Sequence, residues 1–288
     1  MQKIIITHGD ADGIISAYLI QKALGSSMVL FSGPNSISKT IDSIKNKKQK
    51  LVVLDIAPTK EALDKAKSFN GVLWIDHHEE HETQSIPVNL KLIIKQMPST
   101  ANVISEEFKI NNEKLVKIAN EIDTNNVKLE EAEKLRDYVG YIKDTAKGII
   151  FAPMARELIT KLDNLVFLNN PHTILKLAAY RVQEKKKADM LKTNEQEVRG
   201  NKIVFTEIAG SLTNYEIMKK VKGDYVIIFH RKSRGIKLDF RTTSEKDVLK
   251  LAELFKGGGH LHASGAFTDN TNISNIKKRI ITFIKKKL

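Results

Sequence analysis

The sequence contains no cysteine. Disulfides, zinc sites built on thiolates and cysteine nucleophiles are therefore excluded, and any metal site must use nitrogen and oxygen ligands. The chain also lacks an apolar run near the ~18 residues that a membrane-spanning helix needs. Its first residues, MQKIIITHGD, hold no apolar core of a signal peptide. These absences predict a cytoplasmic protein with no membrane partner.

The 288 residues, 41% of them apolar, predict a globular protein with a large core and two domains. Short apolar runs alternate with stretches of helical periodicity in the first part of the chain, at 3–7, 28–31, 50–55 and 72–76. This alternation is typical of an α/β fold in which helices cover both faces of a parallel sheet. From about residue 99 to 195 the pattern becomes helical, and Pro98-Ser99-Thr100 can cap the first helix.

The last part of the chain reads as a second, smaller α/β domain with a mixed sheet. Strands are predicted at 202–208, 225–230 and 235–240, and a helix at 247–255. We therefore expect three parts, which are a catalytic domain at 1–180, a helical linker at 181–200 and a substrate-binding domain at 201–288.

Positive charge is concentrated in this second domain. Residues 200–288 hold 18 Lys/Arg against 8 Asp/Glu, a net charge of +10, whereas residues 1–199 hold 29 against 26, a net charge of +3. The C-terminal part is therefore expected to bind anions. A solvated helix face explains the terminal lysines equally well, because apolar residues recur at helical spacing between them.

Acidic and histidine side chains follow three of the predicted strands. The candidates are His8, Asp10 and Asp12 in HGDADG, Asp55 in VVLDIAP, and Asp76, His77 and His78 in IDHH, with Asp123 at the end of a later helical segment. Each would be ordinary alone, since a single strand-end Asp usually caps the next helix. Because ligands bind beyond the carboxyl ends of parallel strands, their coincidence predicts one site at that edge.

So many carboxylates would repel one another and protonate unless a cation neutralised them. The number of ligands suits two ions that share a bridging carboxylate, and the mixture of imidazole and carboxylate suits Mn²⁺ best, with Mg²⁺, Co²⁺ or Zn²⁺ as substitutes. Alternation along an extended chain would place His8, Asp10 and Asp12 on one side. The same alternation predicts that His77 and His78 point apart, one as a ligand and the other toward substrate.

The four motifs HGDADG, VVLDIAP, IDHH and NEIDTN resemble, in order and separation, those of the DHH phosphoesterase superfamily. FKGGGHLHASGAF, at 255–267, resembles the signature of the DHH-associated C-terminal domain of RecJ-like exonucleases and nanoRNase/pAp-phosphatase proteins. The resemblance thus covers the whole chain.

The resemblance implies a role for each position. One Mn²⁺ would be held by His8, Asp10 and Asp55, and a second by Asp12, the bridging Asp55, His77 and Asp123. Asp76 would ligate or orient, and His78 would face substrate as a catalytic group. In the second domain, Gly257, Gly258 and Gly259 would bring backbone N–H groups against substrate, while His260 and Arg241 would bind phosphate.

The expected activity is hydrolysis of phosphodiester bonds at the ends of single-stranded RNA or DNA or of short oligonucleotides, with release of nucleoside monophosphates. Three alternatives stay open: a phosphatase or phosphodiesterase for pAp or cyclic dinucleotides, an inorganic pyrophosphatase, and a non-catalytic scaffold of replication. The GGGH motif speaks against the pyrophosphatase, and the intact metal positions speak against the scaffold. The sequence leaves the oligomeric state open, a homo-oligomer included.

Overall fold

The computed structural model describes residues 2–78, 88–145, 150–208, 212 and 214–287. The chain divides into two units, Met1–Tyr180 and Arg181–Leu288, and the division falls within a long helix, Pro171–Asp189. Among the described residues, no helix is both long and apolar enough to cross a lipid bilayer.

The first unit is built on a five-stranded parallel sheet. In chain order its elements are β1 (Lys3–His8), α1 (Ala11–Leu24), β2 (Met28–Ser32), α2 (Ile37–Ser43), β3 (Lys50–Leu54), α3 (Lys60–Ala66), β4 (Gly71–Asp76), β5 (Leu90–Ile94), α4 (Thr100–Phe108), α5 (Glu113–Asp123), α6 (Glu130–Thr145), α7 (Phe151–Lys161), a 3₁₀ turn (Val166–Asn169) and α8 (Pro171–Asp189). The strand order is β2-β1-β3-β4-β5. The sheet thus places β1, β3 and β4 side by side.

Helices cover both faces of this sheet, as the alternating pattern predicts. Ile5 of β1 packs with α1 and the helices α4 to α7, whereas Ile4 and Ile6 pack with α2 and α3 on the other face. Both faces of each central strand are therefore buried, which explains the continuous apolar runs. β5 follows residues 79–87, which lie outside the described part of the chain, and was not predicted.

The second unit contains a six-stranded mixed sheet. Its elements are β6 (Thr193–Val198), β7 (Asn201–Ile208), α9 (Asn214–Lys220), β8 (Tyr225–Lys232), β9 (Gly235–Arg241), α10 (Leu249–Glu253), β10 (Gly258–His260), β11 (Ala263–Thr268) and α11 (Ile273–Lys287). The order is β10-β11-β9-β8-β7-β6, with β7 and β8 parallel and the other pairs antiparallel. The mixed sheet agrees with the predicted fold class.

The segment 181–200 differs from its prediction as a helical linker. It is helical only to Asp189, and Thr193–Val198 form the strand β6, paired with β7. The connection is a two-residue hairpin in which Arg199 and Gly200 both have positive φ, 53° and 73°. This geometry suits the twist of antiparallel strands. The prediction of a helix is wrong for this strand, because β6 is a polar edge strand that is stabilised by backbone pairing with β7.

A close backbone approach in the first unit requires glycine at position 13. A Cβ atom at Gly13 would lie 2.3 Å from the carbonyl oxygen of His8, whereas at Gly33 the nearest atom, Ser36 Oγ, would be 4.0 Å away. Gly13 thus lets the first turn of α1 fold tightly against the end of β1.

We expect Gly13→Ala to lower the free energy of unfolding by about 1–3 kcal/mol, a fall in Tm of roughly 2–12 °C, because the added methyl group must displace backbone. Thermal unfolding followed by circular dichroism in chelating buffer measures this change. Gly33→Ala is the matched control and should leave the Tm nearly unchanged. Equal Tm values for the two variants would contradict the close approach.

Candidate metal and phosphoester site

The side chains predicted as metal ligands, together with the predicted catalytic group His78, lie at the carboxyl end of the parallel sheet. Their ligand atoms form three groups within which all atoms lie within 4.8 Å of one another, and these groups are His8–Asp10–Asp55, Asp12–Asp55–His77 and Asp55–Asp76–His78. Asp55 belongs to all three groups. The adjacency of β1, β3 and β4 produces this arrangement, because each of these strands ends at the same edge.

Asp55 is held in an uncommon backbone conformation. It follows β3 with φ 56°, in the left-handed region that Asp tolerates better than most residues. Its N–H donates to the Ile75 carbonyl at 3.0 Å, and its Oδ1 accepts from Thr100 Oγ1 at 3.2 Å. These contacts hold the carboxylate, which is 3% exposed, at the centre of the cluster.

The two carboxylate oxygens of Asp10 contact different residues. As the N-cap of α1, its Oδ1 accepts from the Gly13 N–H at 3.0 Å, while its Oδ2 contacts His8 Nδ1. Burial opposes the charge of Asp10, but His8 and these hydrogen bonds hold its pKa well below the ordinary value. Asp10 is therefore ionised at neutral pH.

Asp12 departs from the extended alternation predicted for HGDAD, because it lies in the first turn of α1. Its Oδ2 accepts from the Thr100 N–H at 2.7 Å and its Oδ1 from the Ala101 N–H at 2.9 Å, so that the N-terminus of α4 holds it. Ser99 caps this helix through the Asn102 N–H, as the Pro98-Ser99-Thr100 sequence indicates. Sequence reasoning missed Thr100 as a contact of both Asp12 and Asp55.

His77 is buried with its ring directed at the carboxylates. Its Nδ1 lies 3.0 Å from the Met97 carbonyl oxygen, and its Nε2 lies 3.3 Å from Asp123 Oδ2, 3.6 Å from Asp55 Oδ1 and 3.9 Å from Asp12 Oδ2. A carbonyl acceptor on Nδ1 favours the tautomer whose Nε2 carries the lone pair. The ring is thus oriented as a metal ligand would be.

His78 occupies a different environment, although the two rings do not point apart. The ring centroids of His77 and His78 are 4.6 Å apart, because the strand ends at Asp76 and the chain bends. His78 Nδ1 lies 2.8 Å from Asp76 Oδ1. Burial would lower the pKa of His78, but the hydrogen bond and the charge of Asp76 raise it to about 9. His78 is therefore protonated at neutral pH.

The donor set fits divalent cations. Burial, together with the neighbouring carboxylates, raises the pKa of Asp55 and of Asp123 well above the ordinary value, which marks excess negative charge. Asp55 Oδ2 and Asp76 Oδ2 are buried and accept no hydrogen bond from any described residue. A cation would supply both the missing partner and the missing positive charge.

In the second unit, Arg241 and His260 lie on one face of the sheet. Arg241 of β9 is opposite Ala263 of β11, which is opposite His260 of β10, so their side chains project to the same side about 10 Å apart. Gly258, Gly265 and Ala263 of the neighbouring strands share this face and carry no side chain larger than a methyl group. Such a surface allows close approach of a ligand to the backbone.

Arg241 is braced by backbone carbonyls. Its Nη1 donates to the Phe240 and Ser264 carbonyl oxygens at 2.8 and 2.9 Å, and its other N–H groups have no hydrogen bond among the described residues. Asp239, two residues earlier on the same face, pairs with His230 at 2.7 Å, a pair that sequence reasoning missed. Asp239 and Arg241 are two residues apart in LDFR, so the sequence indicates that they share a face of the strand. It does not indicate that His230 is the partner of Asp239.

The three glycines of the GGGH motif differ in their backbone contacts. A Cβ at Gly257 would lie 2.1 Å from the Gly265 carbonyl oxygen, and the Gly257 N–H donates to the Ala252 carbonyl at 2.9 Å. The predicted N–H contact of Gly257 to substrate is therefore corrected, because that donor already caps α10. Gly258 and Gly259 belong to the edge strand β10, where Gly259 has φ 133°.

Comparison with known proteins finds a family match for part of the first unit. Residues 2–132 match the N-terminal domain of the DHH family. This match lies within the first unit and supports the resemblance to the DHH phosphoesterase superfamily, whose members hydrolyse phosphoester bonds. No protein of curated function matches the sequence.

Solved structures share the fold at low sequence identity. The pGpG-specific phosphodiesterase PggH from Vibrio cholerae is 15% identical, with 99% of each chain covered and a TM-score of 0.60. The DHH domain of a protein described as belonging to a family of ribosomal proteins is 13% identical, over 99% of this chain and 87% of that one, with a TM-score of 0.72. RecJ from Thermus thermophilus in complex with Mn²⁺ is 13% identical, over 98% of this chain and 52% of that one, with a TM-score of 0.58.

The two histidines should differ in their effect on metal binding. We expect His77→Ala to lower the bound divalent metal clearly, because Nε2 is surrounded by three carboxylates, whereas His78→Ala should retain most of it. Elemental analysis after dialysis against Mn²⁺ measures the occupancy. His172→Ala, an exposed position in the same unit, is the control. Equal losses in the His77 and His78 variants would contradict this division.

Proposed function

We propose that the protein is a two-metal phosphodiesterase that acts on the ends of single-stranded or short oligonucleotides and releases nucleoside monophosphates. The observation that carries the proposal is the sharing of Asp55 among three groups of ligand atoms. A shared carboxylate is what a site for two neighbouring cations requires. The Mn²⁺ in the structurally similar RecJ supports manganese as the metal, with Mg²⁺ as a substitute.

Seven side chains would hold the ions. His8, Asp10 and Asp55 would form one site, and Asp12, Asp55, His77 and Asp123 the other, with Asp76 ligating or orienting beside them. When bound, the two cations stabilise negative charge on the phosphoryl oxygens and lower the pKa of the attacking water. The α4 N–H groups on Asp12, the Thr100 hydroxyl on Asp55 and the Met97 carbonyl near His77 would keep the ligands oriented.

His78 would act as the general acid. Asp76 Oδ1 holds its Nδ1 and keeps the ring protonated at neutral pH, so that Nε2–H can donate to the departing oxygen. The overall reaction adds water across the P–O bond, giving a phosphate monoester and an alcohol. The Asp76 carboxylate stabilises the imidazolium before transfer and is the positioning group for His78.

The second unit would bind the substrate end away from the reacting bond. Arg241 and His260 project from one face of its sheet, and the bare backbone between them allows a phosphate or sugar to approach. Arg binds phosphate through two parallel N–H donors, which Nε and Nη2 of Arg241 can supply. Gly258 and Gly259 would add backbone donors there.

A dinucleotide is the second candidate substrate. PggH, named for its action on pGpG, is similar in fold and aligns with this chain over 99% of both. A linear dinucleotide carries one scissile phosphodiester and one terminal group. It would therefore suit a metal site for the reacting bond and a second site, at Arg241 and His260, for the substrate end. Preference for dinucleotides over longer strands would make the protein a small-nucleotide phosphodiesterase.

Metal dependence and substrate length test the proposed reaction together. We expect the chelated protein to be inactive and Mn²⁺ to restore hydrolysis better than Mg²⁺, with the highest kcat/KM on strands of a few nucleotides. The assay compares end-labelled RNA and DNA of two to two dozen nucleotides with pGpG, pAp, cyclic dinucleotides and pyrophosphate. Asp55→Asn should lower kcat by about 10²–10³-fold or more, because the shared ligand is weakened.

Full activity in chelator, or an Asp55→Asn variant as active as the unmodified protein, would refute the two-metal proposal. Hydrolysis of pyrophosphate alone would assign the protein to a different substrate class. His172→Ala should match the unmodified protein throughout.

Arg241→Ala and His260→Ala should separate substrate binding from chemistry. Each is expected to lose about 1.5–3 kcal/mol in kcat/KM on a dinucleotide, because a charged contact to phosphate is removed, while metal content stays unchanged. Hydrolysis of bis(p-nitrophenyl) phosphate, which has no nucleotide to bind, should hardly change. Arg234→Ala, an exposed arginine in the same unit, controls for loss of charge. Normal dinucleotide turnover in both variants would remove these residues from the substrate site.

A further inference from the structure

Helix α11 carries two stripes of side chains, of which one is buried and the other lines a groove. Ile276, Ile280 and Ile284 recur every four residues and pack into the core of the second unit. A neighbouring stripe with the same helical spacing holds Lys278, Arg279, Phe283, Lys286 and Lys287 and faces an open groove of about 460 Å³ closed on its other side by Leu254. Burial of the isoleucine stripe explains why α11 packs onto the sheet. It does not account for the basic and aromatic residues of the second stripe.

The order of side chains along the second stripe is basic pair, aromatic ring, basic pair. Lys278–Arg279 and Lys286–Lys287 are eight residues apart, about 12 Å along the helix axis, with Phe283 between them. Phe283 and Leu254 are only partly buried, so apolar surface stays open at the base of the groove. A merely solvated face has no need of an open apolar floor.

The positive charge of this groove has no carboxylate partner among the residues that the structure describes. No carboxylate lines it, and among the described residues Lys278, Lys286 and Lys287 form no ion pair. Arg279 is held in place, since its Nη2 donates to the Leu254 carbonyl oxygen at 2.8 Å and its guanidinium lies 4.8 Å from the Phe255 ring centroid. The groove therefore presents one cation held by hydrogen bonding, Arg279, and three exposed lysines.

The groove is distinct from the Arg241 and His260 surface. Ile236, Leu238 and Phe240 of β9 point toward α11, and Arg241 alternates to the other face of the same sheet. The two surfaces thus lie on opposite faces of the second unit. A ligand of the α11 groove does not occupy the proposed terminal-phosphate site.

We propose that the α11 groove is a second binding surface, for the phosphate backbone and one stacked base of single-stranded nucleic acid. Cations at both ends would contact successive phosphates, and the Phe283 ring would stack with a base between them, the combination by which proteins bind single strands without sequence preference. An acidic peptide would satisfy the cations but offers no base for the ring. A membrane surface fits a convex apolar face better than a groove. The proposal does not rest on the proposed catalytic function.

Binding in the absence of hydrolysis tests the groove. Fluorescence anisotropy of a labelled single strand of about two dozen nucleotides is measured with the full chain in chelating buffer. The triple variant Lys278→Gln, Lys286→Gln, Lys287→Gln should bind about tenfold to a hundredfold more weakly near 0.1 M salt, and the slope of log K against log salt should fall by about 2. Phe283→Leu, which preserves apolar packing, should weaken binding at least about fivefold.

The control is a second triple variant, Lys219→Gln, Lys220→Gln, Lys222→Gln, which removes the same charge from exposed positions at α9 on the opposite face of the sheet. It should retain binding within about twofold. Equal loss in both triple variants, or unchanged binding in the groove variant, overturns the proposal. Binding of polyglutamate or anionic phosphatidylserine vesicles to the groove in place of the single strand also overturns it. Circular dichroism verifies that each variant is folded.

Discussion

Repulsion among buried carboxylates is the constraint around which the first unit is organised. Asp12, Asp55 and Asp76 are each 3% exposed or less, so bulk solvent screens their charges only weakly. The protein meets part of this cost with fixed donors, which are the α4 N–H groups for Asp12 and the Thr100 hydroxyl for Asp55. The remainder is visible as raised pKa values at Asp55 and Asp123 and as buried oxygens that accept no hydrogen bond from the described residues. Divalent cations would relieve both.

The parallel sheet makes this concentration of charge tolerable because it supplies rigid positions at one edge. β1 and β4 end in His8 and Asp76, Asp55 directly follows β3, and α1 begins soon after β1 because Gly13 allows its backbone to approach His8. His77 and His78 are adjacent in the chain but have different surroundings. His77 is buried among carboxylates with Met97 on its far nitrogen, whereas His78 is tied to Asp76 and protonated.

The second unit presents a different surface on each face of its sheet. Alternation along β9 sends apolar side chains to the core beneath α11 and sends Asp239 and Arg241 to the other face. One face thereby offers Arg241 and His260 around bare backbone, and the helical layer offers the basic groove. The net charge of +10 in residues 200–288 thus includes basic side chains on both faces of this sheet.

The α/β class, the apolar strands β1, β3 and β4, the capping of α4 by Ser99 and the side chains that follow each strand could all be predicted from the sequence, because they depend on local periodicity and capping chemistry. The position of β2 at the sheet edge, which leaves β1 beside β3, became known only from the folded chain, since strand order depends on contacts between distant segments. The same holds for Asp12 in a helix held by Thr100, for the rings of His77 and His78 side by side, and for β6 as a strand. The polar segment TNEQEV carries no periodic signal, and its structure comes from backbone hydrogen bonds to β7, which no local pattern encodes.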